Sequence, residues 1–329
     1  MVRSIRPLPL LCLAALLWGA AGLHPTPANA GSCCGGGSGA ALILPKGNKA
    51  LLDLGLEMEK YDGFWNQAGR HIQDPPGSDL RQYRLTLGAA QRLSSRWQAS
   101  VSLPYVWNRN RYSGSVTSSD GLGDSTLSVW YEALDDVSTW KLSSAKDLIP
   151  SVVIGPSLLI PTGISPYDDK ESSFDVTGRG FYRLDGNLQV DKTLRPFTAS
   201  LALGYGRYFE RPVDKEYGRF VEPYHKRLGN RFSVSGSLGY IAVLGTGGDT
   251  LTGTATLAYV EEDNGKRNGE TDPTTAFKKT SVGGALLYAS TDHDWSVKAS
   301  WNHAIQAEGW GENFPTTDIY SMGVRYGFR

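Results

Sequence analysis

From Ala50 to the C-terminus the chain repeats one pattern, in which apolar or aromatic residues take every second position and small or polar residues fall between them. Trp97, Ala99, Val101, Leu103, Tyr105 and Trp107 share one face of such a segment, and Gln98, Ser100 and Ser102 share the other. The same contrast separates Tyr182, Leu184, Leu188 and Val190 from Arg183, Asp185, Asn187 and Gln189. A repeat of two is that of a strand with unlike faces. Twelve segments carry it, near 50–61, 81–93, 97–108, 123–134, 150–162, 179–191, 196–209, 229–243, 250–261, 279–290, 294–307 and 317–329. The fifth, from Pro150 to Pro161, is apolar on both faces.

The connections add a second regularity. Ser94-Ser95-Arg96, Leu194-Arg195-Pro196, Gly245 to Asp249 and Thr291-Asp292-His293 are short and follow even-numbered segments, whereas the links after odd-numbered segments are longer and polar, most of all Glu210 to Leu228. Asp135 to Leu148 breaks the rule, being too long for a tight turn and read as partly helical. Short and long links in alternation are the layout of outer-membrane barrels. A β-sandwich has the same periodicity with its apolar face turned inward. The aromatics favour the barrel: Tyr61, Phe64, Trp65, Tyr105, Trp107, Tyr205, Tyr208 and Phe209 are expected at the long-loop ends, and Trp97, Trp130, Tyr131 and Trp295 at the short-turn ends, as two interfacial belts. The fold class expected is all-β: an antiparallel transmembrane β-barrel of about 12 strands, preceded by a cleaved signal peptide.

The signal peptide is residues 1–30, with Arg3 and Arg6 before an apolar run from Leu8 to Leu23 and an A-x-A site at Ala28-Asn29-Ala30. Residues 31–48 form a Gly/Cys-rich periplasmic segment and 49–329 the barrel. No later stretch reaches the roughly 18 apolar residues of a membrane-spanning helix. The 33 basic and 33 acidic residues balance, so no general field draws the chain to nucleic acid. The partners expected are outer-membrane lipid and lipopolysaccharide, the barrel-assembly machinery and a small-molecule solute, with no nucleic acid, and the location is a Gram-negative-type outer membrane.

At the C-terminus, Ser321-Met322-Gly323-Val324-Arg325-Tyr326-Gly327-Phe328 resembles the terminal β-signal of outer-membrane proteins. The resemblance implies that Gly323, Tyr326 and Phe328 act as an assembly signal; Arg329 departs from it, since most such chains end on the aromatic. Gly121-Leu122-Gly123-Asp124 opening one strand and Ile160-Pro161-Thr162-Gly163 closing the next resemble the outer-membrane transporter family named for the meta-pathway of phenol degradation. That resemblance implies a barrel that passes small, often hydrophobic molecules.

Parity places Asp53, Glu57, Glu59, Arg84, Arg92, Arg183, Asp185, Asp191, Arg231, Lys298 and Arg325 in the lumen, where charges must be solvated or paired. Two arrangements fit equally: acidic and basic walls that impose a transverse field on a solute, or a set of internal salt bridges that closes a narrow barrel. Cys33 and Cys34 have no third Cys, His or Asp beside them, and are candidates for a vicinal disulfide or a soft-metal pair within a segment that enters the lumen or stays in the periplasm. Outside the leader the histidines are His71, His225, His293 and His303, and only chance proximity, as of His71 to Asp74 or His225 to Glu222, would give an acid–base pair. No phosphate loop or nucleotide fingerprint occurs, and no cofactor is expected. The function expected is an outer-membrane channel or transporter for small, hydrophobic or aromatic molecules, not an enzyme. The alternatives are a structural or periplasmic-binding barrel and an outer-membrane hydrolase.

Overall fold

The computed structural model describes residues 42–329 apart from 137–138, 140–142, 171–173 and 293. The predicted leader, Cys33, Cys34 and His293 lie outside the described residues. Twelve long strands follow one another in the chain: β1 (Ala50–Trp65), β2 (Asp79–Arg92), β3 (Trp97–Tyr112), β4 (Ser125–Leu134), β5 (Ser151–Ile160), β6 (Arg183–Leu194), β7 (Phe197–Tyr208), β8 (Arg231–Leu244), β9 (Asp249–Glu262), β10 (Phe277–Ala289), β11 (Trp295–Ala304) and β12 (Phe314–Phe328). Each pairs antiparallel with its neighbour in sequence. β12 returns to pair with β1 along its length, from Ala50↔Phe328 to Trp65↔Phe314. The sheet is therefore a closed meander with no free edge, as a hydrocarbon environment requires. The twelve strands expected from periodicity are all present.

The outer face carries the apolar set. Leu54 is 49% exposed and Met322 64%, and Leu52, Leu56, Leu87, Leu103, Leu257 and Leu286 are exposed with them. An apolar band of this extent cannot face water on a lone soluble chain, where exposed patches reach only a few hundred Å². Trp97 packs on Tyr131 at 4.9 Å, and Trp295 on Tyr326 at 4.5 Å, at the end of the barrel that bears the short turns. Tyr105 and Trp107 pair at 5.0 Å toward the other end, where Tyr205 and Phe209 are also exposed.

The two ends differ. At the turn end the long β4–β5 link carries a short 3-10 turn, Ala145–Leu148, capped reciprocally by Ser144 and Asp147. Asp136 fastens the link to β6 by accepting from the Thr193 N–H at 2.8 Å and pairing with Lys192. At the loop end, Ser115–Leu122 extends the hairpin from β3, and the links after β7 and β9 form a separate four-stranded sheet of Arg211–Glu216, Arg219–Arg227, Gly265–Arg267 and Glu270–Asp272. The charged stretch from Glu210 to Leu228 is thus mostly a hairpin outside the barrel wall.

Candidate functional site

Because side chains alternate across each strand, the polar set of every strand converges on the lumen. All eleven charged residues singled out from parity lie on the inner face, and most are ion-paired. In the turn-end half, Arg325 donates to Asp53 at 3.0 Å with the Lys298 ammonium close to both. Arg92 pairs with Glu132 at 2.9 Å, and Asp191 accepts from Gln189 at 2.8 Å. In the loop-end half, Arg84 pairs with Glu57, and Arg183 with Asp185 at 2.7 Å. Glu59, only 1% exposed, lies within reach of Lys279 and Arg84. Arg231 stands among Arg183, Arg179, Tyr208 and Glu262. The charges therefore do not segregate into one acidic and one basic wall; they stand mostly as cross-strand pairs. Lys298 remains exposed although it projects inward, so water reaches its depth in the lumen. From β7 to β10 the inner wall is built of small residues, including Ala202, Gly204, Ser235, Thr256 and Gly283, which leave room on that side.

Each mouth receives a piece of chain. At the turn end, Leu42 to Lys49 run into the barrel: Leu44, Leu51 and Ala90 form a small core with Leu42, and Leu42 rests against Gly88 at the level of Asp53. The Leu44 N–H is satisfied by the fully buried Gln98 side chain, and Arg92 donates to the Asn48 and Pro45 carbonyls at 3.1 and 3.3 Å.

At the loop end the described parts of the β5–β6 link, residues 161–170 and 174–182, fold inward instead of outward. Asn108 and Asn110 on β3 donate to the Val176 and Phe174 carbonyls at 3.0 and 2.9 Å, and Val176 and Phe181 are buried. Its anchor is the two glycine-rich motifs, brought face to face. The Asp124 carboxylate accepts the Gly163 N–H at 3.2 Å and the Arg179 N–H at 2.7 Å. Thr162 donates to the Gly123 carbonyl at 2.6 Å, and Thr177 to the Leu122 carbonyl at 2.6 Å. A Cβ on Gly163 would stand 2.8 Å from the Gly178 Cα, and one on Gly178 would enter the Asp124 carboxylate, so the chain crossing needs glycine at both. Beyond the crossing, Arg179 reaches β9 on the opposite wall, donating to both oxygens of Glu262 at 2.6 and 2.8 Å and to the Tyr208 hydroxyl at 2.6 Å.

Several aromatics expected at the membrane boundary are inside. Trp65 is fully buried in a lumen cluster with Phe277, Ala304 and Phe314, Tyr61 and Tyr208 are buried, and Trp130 donates inward to Ser100. Trp65 shares the parity of Asp53, Glu57 and Glu59, and burial alternates without a break through the register shift between Tyr61 and Phe64, so its place at a strand end, not its face, is what suggested a belt. For Tyr208 it is the phenolic oxygen, used by Arg179 and Arg183 as a shared acceptor. Sequence reasoning also missed Glu262, Lys279 and Arg179. Lys279 falls on the inner parity of its predicted segment; Glu262 lies one residue past its own, and Arg179 belongs to a link.

On the outer face, Ile154, Pro156, Gly186, Leu203, Tyr205 and Phe232 line an apolar cleft of about 510 Å³ that runs over β5 to β8. It lies where the β4–β5 ladder is interrupted, between Ser128↔Ser157 and Tyr131↔Ile154. Among the described histidines, His71 Nε2 lies 3.1 Å from both Thr316 Oγ1 and the Asp62 carbonyl, His225 3.3 Å from Glu210 and His303 3.0 Å from Asp318, so neither His71 with Asp74 nor His225 with Glu222 is the pairing seen. Among the described residues no three or more His, Cys, Asp and Glu side chains are grouped for a metal.

Comparison with curated proteins gave no match. Among solved structures, an outer membrane channel from Pseudomonas putida F1 superposes with a TM-score of 0.65 at 13% identity, over 89% of this chain and 99% of that one. The beta domain of the Bordetella autotransporter Brka gives 0.49 at 14% identity, over 85% and 99%. The first of these likenesses establishes the fold as that of an outer-membrane barrel. Residues 80–316, which hold both glycine-rich motifs and their interlock, match the family described as "Putative MetA-pathway of phenol degradation", and the chain belongs to that family.

Proposed function

We propose that the protein carries small hydrophobic or aromatic molecules across the outer membrane by passive or facilitated diffusion through its lumen, without covalent chemistry. The observation that carries this reading is the divided interior: a water-accessible inner wall of small residues on β7 to β10, with chain inserted at both mouths. A small-residue wall leaves space for a solute, and the inserts keep that space narrow. The family and the apolar cleft over β5 to β8 both favour apolar solutes over ions. The leader directs export and is cleaved after Ala30, the outer face meets lipid and lipopolysaccharide, and the last strand, with Gly323, Tyr326 and Phe328, presents the chain to the assembly machinery.

The test is planar-bilayer conductance and liposome uptake of phenol by the mature chain, Gly31–Arg329, beside a chain lacking Gly31–Lys46. Small steady current and phenol uptake by the intact chain, with larger current after truncation, is the expected result. A folded barrel that passes neither ions nor phenol in either form would overturn it in favour of a scaffold role.

A further inference from the structure

In the loop-end half of the lumen one guanidinium stands without an acceptor among the described residues. Glu262 accepts from Arg179 with both oxygens, Asp185 is paired with Arg183, and the Tyr208 hydroxyl accepts from Arg179 and from Arg183 at 2.9 Å. Arg231 pairs in register with Gly206 on β7 and with Glu262 on β9, so its side chain shares their inner face. It makes no hydrogen bond and no ion pair among the described residues, and it is not exposed. A guanidinium shielded from bulk water normally finds an acceptor, since burying an unpaired charge is costly. Nothing at Gly206 can supply one, and the carboxylates on either side are engaged.

Below Arg231, toward the turn end, the inner wall is apolar or small: Gly204, Ser233, Ser235, Ala258 and Val260. Val260 also packs against the Trp65, Phe277 and Phe314 cluster. The fork is therefore bordered by space and by apolar surface.

We propose that Arg231 is the anchor of a binding site for a small organic carboxylate with an apolar or aromatic body. The carboxylate takes the planar fork in bidentate fashion, which a guanidinium fits better than any other side chain. The body lies along the small-residue wall toward Val260. The site deepens the channel reading by naming a substrate class, and it is tested here by binding, which needs no passage.

Refolded mature chain in detergent micelles is titrated with benzoate and, separately, with benzyl alcohol, which keeps the ring and lacks the charge, by calorimetry. Wild type is expected to bind benzoate saturably and at least tenfold more tightly than benzyl alcohol. Arg231→Gln is expected to lose at least tenfold in benzoate affinity, Arg231→Lys to lose less, and the exposed Arg70→Gln to match wild type; heat-modifiable gel mobility shows that each variant is folded. Absence of saturable benzoate binding to wild type, equal binding of the two probes, or an Arg231→Gln affinity equal to wild type overturns the site. A chain that conducts without binding benzoate loses this proposal alone; one that binds benzoate yet passes nothing loses the channel reading and keeps the site.

Discussion

Removal of the Asp124 carboxylate is the sharpest probe of the inward-folded link. Asp124→Ala deletes the acceptor of two backbone N–H groups, those of Gly163 at 3.2 Å and Arg179 at 2.7 Å, which sit on either side of the chain crossing. A hydrogen bond to a charged acceptor contributes about 1.5–3 kcal/mol. Two of them, discounted because water reaches the link once it lifts, give about 2–4 kcal/mol, and at tenfold per about 1.4 kcal/mol the undocked form rises by roughly 30- to 700-fold. The barrel ladder does not share these bonds, so the loss is local. Amide hydrogen exchange reads it directly. The Thr177 and Gly178 amides, both donating to the Ile164 carbonyl at 2.8 and 2.9 Å, and the Ile164 amide, which donates to Thr177 Oγ1 at 2.8 Å, exchange faster by that factor, while amides in mid-β9 are unchanged. Gly178→Ala, which drives a methyl into the retained carboxylate, gives the same signature. Exchange at Ile164, Thr177 and Gly178 within threefold of wild type in Asp124→Ala would falsify the claim that this carboxylate holds the link in the lumen.

Three further outcomes concern the barrel wall and its turn-end link. Gly155→Ala puts a methyl into the Val129 carbonyl at the ladder interruption, and overpacking of about 1–3 kcal/mol lowers the urea midpoint of the folded barrel in lipid vesicles; an unchanged midpoint would show that the strands spread freely there. Arg84→Leu removes the guanidinium paired with Glu57 and its favourable charge near Glu59, costing about 1–3 kcal/mol in the same assay, and the Arg84→Leu/Glu57→Leu double variant recovers part of the loss; additive losses would deny the coupling. In the exposed β4–β5 link, the Ser143 and Ser144 N–H groups hold the Asp147 carboxyl below the usual carboxylate range. A depressed folded-state pKa adds stability that is complete above the unfolded value and is lost as pH falls through the lower, folded one. The Asp147 carboxyl resonance of the folded barrel therefore titrates at lower pH than that of the denatured chain, and coincident titrations would contradict the cap.

The wall of the barrel was legible in the sequence because each strand separates lipid from a polar interior, and that demand is written at every second residue. The contrast of Leu54 with Asp53, or Met322 with Arg325, survives any small error in strand ends. The belt reading fails where the interior ceases to be polar. Near the loop end Trp65, Phe277 and Phe314 pack on one another inside the barrel, and a place near the end of a strand does not by itself say which face an aromatic takes. The inserts left a different trace. Gly121 to Asp124 and Ile160 to Gly163 were visible as motifs, but their spacing along the chain does not say that one carboxylate closes over both ends of a link. That requires the third element, Gly178-Arg179, which sits in a stretch with no periodicity at all. Parity alone puts Arg231 on the inner face, yet its lack of a partner is a property of the whole tier. It emerges only once Arg179 arrives from the link and occupies Glu262, the carboxylate that stands beside Arg231 in the ladder. The folding of the link into the mouth and the unused charge on the wall are thus consequences of one contact, and releasing the link through Asp124 should return Glu262 to Arg231 and weaken the anion site without touching it.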